Sequence, residues 1–139
     1  MILLYNIGLF FLQLGFRATA LFVPKAKAFV NGRENLFEKI EIAFQHHKGS
    51  LVWVHCASLG EFEQGRPVIE SLKKEFPSVK VMLTFFSPSG YEVRKNYKQA
   101  DYVFYLPWDG SSNAERFVSA TNPAVAIFAK YEFWYYYTN

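Results

Sequence analysis

Four apolar runs of strand length recur through the second two-thirds of this chain, and together they admit few folds. They are Leu51–His55, Val81–Phe85, Tyr102–Leu106 and Ala124–Phe128. Each is apolar at consecutive rather than alternate positions, the pattern of a strand buried on both faces. Helical patterns separate them. Val68, Ile69, Leu72 and Phe76 line one face of a segment from about Glu63 to Phe76, and a shorter helix is expected near Gly90 to Tyr97. A third follows Pro107-Trp108-Asp109-Gly110, where Ser112 and Glu115 have the spacing of a capping box. Strands alternating with helices imply an α/β fold, a Rossmann-like parallel sheet covered on two sides.

The amino-terminal segment obeys a different rule. Met1 to Phe16 carries no charge, and Met1 to Val23 carries only Arg17. As a helix, about 23 residues extend roughly 34 Å, enough to cross a bilayer. No basic residue precedes the run and no small-residue cleavage site follows it before Pro24, so it reads as a retained membrane-anchor helix rather than a signal peptide. Lys25, Lys27 and Arg33 place the following residues in the cytoplasm. Arg17 opposes deep burial in lipid. A helix lying in the interface with Asn6, Gln13 and Arg17 toward head groups is a second reading, and a buried helix of a soluble fold a third. The expected organisation is an anchor over 1–23, a connecting segment over 24–49 and the α/β domain over 50–139. Leu36, Phe37, Ile40, Ala43 and Phe44 mark a short amphipathic helix in the connecting segment, ending near His46-His47-Lys48-Gly49.

At 139 residues and 51% apolar, the chain suits one domain core. A single cysteine, Cys56, forms no internal disulfide, and no Cys/His cluster has the spacing of a structural zinc site. A net charge of +3 without a Lys/Arg-rich run speaks against nucleic acid, while an anionic membrane or substrate stays compatible.

In a parallel sheet the loops after the strands meet at one edge, where α/β folds bind ligands. The first loop, Ala57-Ser58-Leu59-Gly60-Glu61, offers a glycine for a tight turn and a carboxylate at the start of a helix. Glu61 and Glu63 serve the helix dipole on spacing alone; a carboxylate at this edge is also placed to take a proton from a bound hydroxyl. The second loop, Ser87-Pro88-Ser89-Gly90, joins hydroxyls to a helix start, with Ser87 or Ser89 as N-cap. It lacks the glycine spacing of a P-loop or dinucleotide fingerprint. In the fourth, Lys130 and Glu132 flank Tyr131 ahead of Phe133 and Trp134: a surface ion pair on a packed aromatic edge, or a site for a sugar or acyl chain. His55 belongs to the core or a strand edge, His46 and His47 to a solvated helix end, and Cys56 has no basic partner that would make it a nucleophile.

Read together and in order, His55-Cys56-Ala57-Ser58-Leu59-Gly60-Glu61, Arg66-Pro67, Thr84-Phe85-Phe86-Ser87-Pro88-Ser89-Gly90-Tyr91, Tyr105-Leu106-Pro107-Trp108-Asp109 and Lys130-Tyr131-Glu132-Phe133-Trp134 resemble the amino-terminal half of 3-deoxy-D-manno-octulosonic acid (Kdo) transferases. The resemblance implies a two-domain GT-B glycosyltransferase on the cytoplasmic face of the inner membrane. It implies inverting transfer of Kdo from CMP-Kdo to a lipid A precursor, lipid IVA, in lipopolysaccharide biosynthesis, with no metal or cofactor. This chain corresponds to the acceptor side; most of the donor site would lie in a further domain, so the 139 residues alone are not expected to catalyse transfer. By the same resemblance Glu61 is the general base, and Ser58, Gly60, Arg66, Ser87, Ser89, Gly90, Lys130 and Glu132 bind substrate. Tyr135-Tyr136-Tyr137 departs from the asparagine that family carries soon after the tryptophan, so no role beyond Trp134 is carried over. Competing readings are a noncatalytic membrane-tethered binding domain and another GT-B enzyme such as a sugar-nucleotide epimerase or lipid A disaccharide synthase.

Overall fold

The computed structural model describes residues 1–130 and 134–138. Its centre is a four-stranded sheet of β1 (Leu51–Cys56), β2 (Lys80–Phe85), β3 (Tyr102–Tyr105) and β4 (Val125–Phe128), ordered β3-β2-β1-β4. Every pairing is parallel, with Cys56 opposite Phe85, His55 opposite Phe128 and Phe85 opposite Tyr105. All four strands therefore end at one edge.

The period of two along a strand divides the core. Val52, Val54, Cys56, Val81, Leu83 and Phe85 meet Phe62 and Ile69 of α4 (Leu59–Glu75) on one face. Leu51, Trp53, Met82 and Tyr105 meet Leu36, Ile40 and Phe44 of α3 (Leu36–Phe44) and Phe117 of α6 (Ser111–Thr121) on the other. The two central strands are enclosed as the apolar runs imply. Among the described residues β4 pairs with β1 alone, and Val125 is 51% exposed.

Several local expectations change. α4 starts at Leu59, four residues before the expected Glu63, because Ser58 in extended backbone serves as its N-cap. α5 (Pro88–Arg94) stops before Tyr97. Ser112 and Glu115 do not form a capping box, since α6 already begins at Ser111 after Gly110 and Ser112 lies inside its first turn. The side chain of Asn113 closes that turn instead, donating to the Trp108 carbonyl at 2.9 Å. The connecting segment holds α2 (Pro24–Asn31) as well as α3; proline at the first position starts it, and Ala26 and Phe29 bury its inner face. His46 is exposed as expected, whereas His47 packs on Phe44 and lies 3.1 Å from the Tyr102 hydroxyl.

α1 (Ile2–Thr19) is long and apolar enough to cross a membrane, with mean hydropathy 1.3. No residue of it is buried, so the reading as a core helix fails. One stripe nevertheless touches the domain. Phe16 stacks on Phe29 with centroids 4.2 Å apart, the Tyr5 hydroxyl donates to Asp109, and Asn6 accepts from the Tyr136 hydroxyl of α7 (Tyr135–Thr138) at 3.0 Å. Leu3, Leu4, Phe10, Phe11, Leu14, Leu21 and Phe22 remain more than half exposed. The polar residue Asn6 thus faces the domain, opposite to the head-group orientation the interfacial reading gave it.

Candidate active site at the carboxyl edge of the sheet

Backbone hydrogen bonds bring the strand-end loops together. The Ser87 N–H donates to Ala57 O at 2.7 Å, joining the first two loops, and the Ala129 N–H donates to His55 O at 2.9 Å, bringing the end of β4 beside them. Glu61 stands three residues after the Ser58 N-cap, in the first turn of α4. That is the capping-box spacing, but here the Ser58 hydroxyl donates to the Glu61 carboxylate and makes no bond to the helix backbone. This hydrogen bond, then backbone N–H groups of Glu61 and Ser58 and the charge of Lys130, lowers the Glu61 pKa below the ordinary glutamate value, against the opposing effect of burial. Glu61 is therefore ionised at neutral pH and only partly covered.

Lys130 is exposed and has φ 65, a left-handed conformation uncommon for lysine, and its charge reaches Glu61. The sequence paired Lys130 with Glu132; Glu132 lies outside the described residues, and the acid that senses Lys130 here is Glu61. Ser87 is the N-cap of α5: its Oγ accepts from the Ser89 N–H at 3.3 Å and lies 2.9 Å from Ser89 Oγ. Both hydroxyls are half-buried.

The glycines divide by function. Gly60 makes no tight turn, contrary to expectation: it lies inside α4 without positive φ, and a Cβ there would meet only Ser58 Oγ at 3.8 Å. A side chain there would make only an ordinary contact with Ser58, so packing does not demand a glycine at this position. Gly90 is buried, and a Cβ on it would stand 2.2 Å from Cδ1 of Phe85. Close packing of α5 on β2 requires that glycine, leaving the polar groups of this loop to Ser87 and Ser89. Arg66 is not brought to Glu61; it lies on the exposed side of α4, 3.4 Å from Glu63 and 3.8 Å from Glu70.

An apolar groove of about 410 Å³ adjoins Ser87, walled by Phe16, Val23, Ala26, Phe29, Phe86 and Pro88, with Lys25 on its lining. It runs from the α1–α2 corner to the second loop. In β1, His55 is fully buried with Nδ1 2.8 Å from Thr84 Oγ1, which also accepts from Trp53 Nε1 at 2.8 Å. Burial lowers the His55 pKa to about 3, so the ring is neutral and belongs to the core beneath the site.

Sequence reading missed Arg33. Its Nε, Nη1 and Nη2 donate to the carbonyls of Leu106, Phe29 and Phe86 at 3.1, 3.1 and 2.8 Å, tying α2 to the ends of β2 and β3. These acceptors are up to 73 residues away in sequence, so no local pattern announces them. Gly65 was also missed: a Cβ there would lie 3.2 Å from Cys56 Sγ, so it sets the approach of α4 to β1.

Comparison with known proteins matches residues 34–139 to a family model described as 3-deoxy-D-manno-octulosonic-acid transferase (kdotransferase). A 3-deoxy-D-manno-octulosonic acid transferase of Aquifex aeolicus is 38% identical over 88 residues, covering 63% of this chain and 24% of the relative. That of Haemophilus influenzae is 29% identical, covering 60% and 20%. The Rickettsia prowazekii protein is 26% identical over 132 residues, covering 93% and 28%. The chain thus spans about a quarter of the length of such relatives.

Proposed function

The chain belongs to the 3-deoxy-D-manno-octulosonic-acid transferase family, and on that premise we propose that it is the acceptor side of a GT-B glycosyltransferase that moves Kdo from CMP-Kdo to lipid IVA in lipopolysaccharide biosynthesis. Glu61 takes the proton from the acceptor hydroxyl. The freed oxygen forms a bond to the Kdo anomeric carbon on the face opposite CMP, whose phosphate oxygen leaves with the electron pair, inverting the centre. The donor is held mostly by a further domain.

The observation that carries this reading is the Glu61 carboxylate: ionised, oriented by Ser58, and close enough to sense Lys130. Its lowered pKa keeps the base available at neutral pH while making it a weak one, so transfer of the proton accompanies attack rather than preceding it. Ser87 and Ser89 offer hydroxyls to the acceptor head, and the adjoining apolar groove suits one of its acyl chains. Arg66 stands in a surface ion-pair cluster with Glu63 and Glu70.

α1 serves this chemistry as an in-plane anchor at the cytoplasmic face of the inner membrane. Tyr5 and Phe16 both touch the domain, and eleven residues of helix separate them by roughly 16 Å. A helix occupied along that length by the domain meets lipid with its opposite, apolar face.

The test is Kdo transfer from CMP-Kdo to lipid IVA by the full-length parent, with and without Glu61→Gln. Turnover should fall about 10²–10⁴-fold with acceptor binding retained. A mutant with undiminished turnover removes Glu61 as base, and an intact parent without transfer removes the substrate assignment.

A further inference from the structure

The corner between α1, α2 and the loop after β3 contains a second cavity, of about 460 Å³, which shares Phe16 as a wall with the groove beside Ser87. Two guanidinium groups line it, Arg17 from the last turn of α1 and Arg33 from beyond α2, together with Gln13, Phe16, Trp108 and a single acid, Glu34. Among the described residues neither arginine forms an ion pair.

Arg33 is held in place rather than satisfied. Three carbonyls fix its plane, and the rings of Phe29, Phe86, Tyr105 and Trp108 surround it at 3.9, 4.8, 4.8 and 5.6 Å. A guanidinium has five N–H donors, so three bonds to neutral carbonyls leave donors and a full charge over. Burial lowers its pKa to about 9, and at neutral pH it remains a cation without a counter-charge among the described residues. A planar fork with spare donors, a second guanidinium and an amide match the oxygens of a phosphate better than a single carboxylate. The exposed apolar face of α1, including Phe10 and Leu14, belongs to the same helix that carries Gln13 and Arg17. Seated on a bilayer by that face, the chain holds the cavity near the depth of lipid phosphates.

We propose that this corner, built by Gln13, Arg17, Arg33 and Trp108, binds a phosphate group. The site stands independently of the transferase reading, since it lies apart from Glu61 and needs only the membrane-facing helix. A lipid head group and free phosphate supply the same chemistry, and two probes separate them.

The full 139-residue chain is mixed with vesicles of phosphatidylcholine alone or with phosphatidic acid, and its flotation is measured. Separately, inorganic phosphate is titrated in detergent while tryptophan emission is followed, with Trp108→Phe to identify the reporting ring. Arg17→Gln should weaken binding of the phosphate-bearing probe about tenfold, the loss of one charge-assisted hydrogen bond. In the inorganic-phosphate titration, Lys27→Gln, which removes an exposed charge of α2 outside the cavity, should change binding less than about twofold, as screened surface charges do. Arg33→Lys, keeping the charge and losing the fork, should also weaken it, with circular dichroism confirming the fold. Response to phosphatidic acid only assigns the site to a lipid, and response to inorganic phosphate assigns it to the free ion. Binding of neither probe, or equal losses in Arg17→Gln and Lys27→Gln, overturns the proposal.

Discussion

Two glycines of the candidate site should respond to alanine with opposite signs. A Cβ at Gly90 would lie 2.2, 2.7 and 3.0 Å from Cδ1, Cε1 and Cγ of Phe85. Carbon atoms rest about 3.5–4.0 Å apart, so the closest overlap exceeds about 1 Å. The Phe85 ring is fully buried with Phe62 5.8 Å away, and it has little room to yield. Overpacking of this kind costs about 1–3 kcal/mol, and the large overlap points to the upper half of that range. Alanine recovers up to about 1 kcal/mol through helix propensity, leaving Gly90→Ala destabilised by about 1–2 kcal/mol. At Gly60 the same Cβ meets only Ser58 Oγ at 3.8 Å, an ordinary contact. There the propensity gain stands nearly alone, and Gly60→Ala should be stabilised by about 0.5–1 kcal/mol. The same change adds a methyl group 3.8 Å from Ser58 Oγ, the hydroxyl that holds Glu61, so the full-length parent should lose transfer activity while gaining stability. Urea denaturation followed by far-UV circular dichroism, with m-values compared, measures both differences. A Gly90→Ala chain as stable as the parent, or equal losses at both positions, would refute the packing argument.

Other consequences concern protons and the attachment of α1. Neutral His55, with its pKa at about 3 against an ordinary 6.5, makes stability fall as pH drops through that interval, because the unfolded chain takes up the proton first. The slope approaches about 1.4 kcal/mol per pH unit, and His55→Gln should flatten it; an unchanged slope in urea midpoints contradicts the assignment. Ser58→Ala removes the largest influence lowering the Glu61 pKa, so the carboxylate should titrate at higher pH in the variant, observed by carbon NMR; no upward move means Ser58 does not hold it. Asp109 is 3% exposed and accepts from the Tyr5 hydroxyl and, at 3.1 Å, the Tyr136 N–H. Asp109→Ala should raise hydrogen exchange in α1 and α7 by about five- to thirtyfold, the effect of losing one or two kcal/mol. Unchanged exchange there excludes Asp109 as the link.

Features with a local cause were legible in the sequence. β1 and β2 are consecutive apolar residues because both faces are covered, and Leu36, Ile40 and Phe44 recur at helical spacing because one face of α3 meets the sheet. Ser87 was readable as an N-cap from the Ser-Pro-Ser-Gly stretch alone. Apolar composition does not distinguish β4, paired on one side among the described residues, from the central strands, because strands can share the same residues while differing in what lies beside them. It was silent at α2, eight residues long, where burial of Ala26 and Phe29 by the domain outweighs a weak periodic pattern. The capping-box spacing of Ser112 and Glu115 falls inside α6, whereas Ser58 and Glu61 have the same spacing at a real helix start.

By itself the sequence determined the strands, their parallel class and the position of Glu61 at a helix start, since periodicity, turn chemistry and caps act over a few neighbouring residues. Only the tertiary structure decided the order β3-β2-β1-β4, the opposite purposes of Gly60 and Gly90, and the influence of Lys130 on Glu61. It also decided that Arg33 gathers carbonyls from α2 and two strand ends, and that α1 turns Tyr5, Asn6 and Phe16 toward the domain and its remaining apolar surface outward. These depend on steric overlap, desolvation and charge between residues distant along the chain, and such forces take their values only once folding has set the distances.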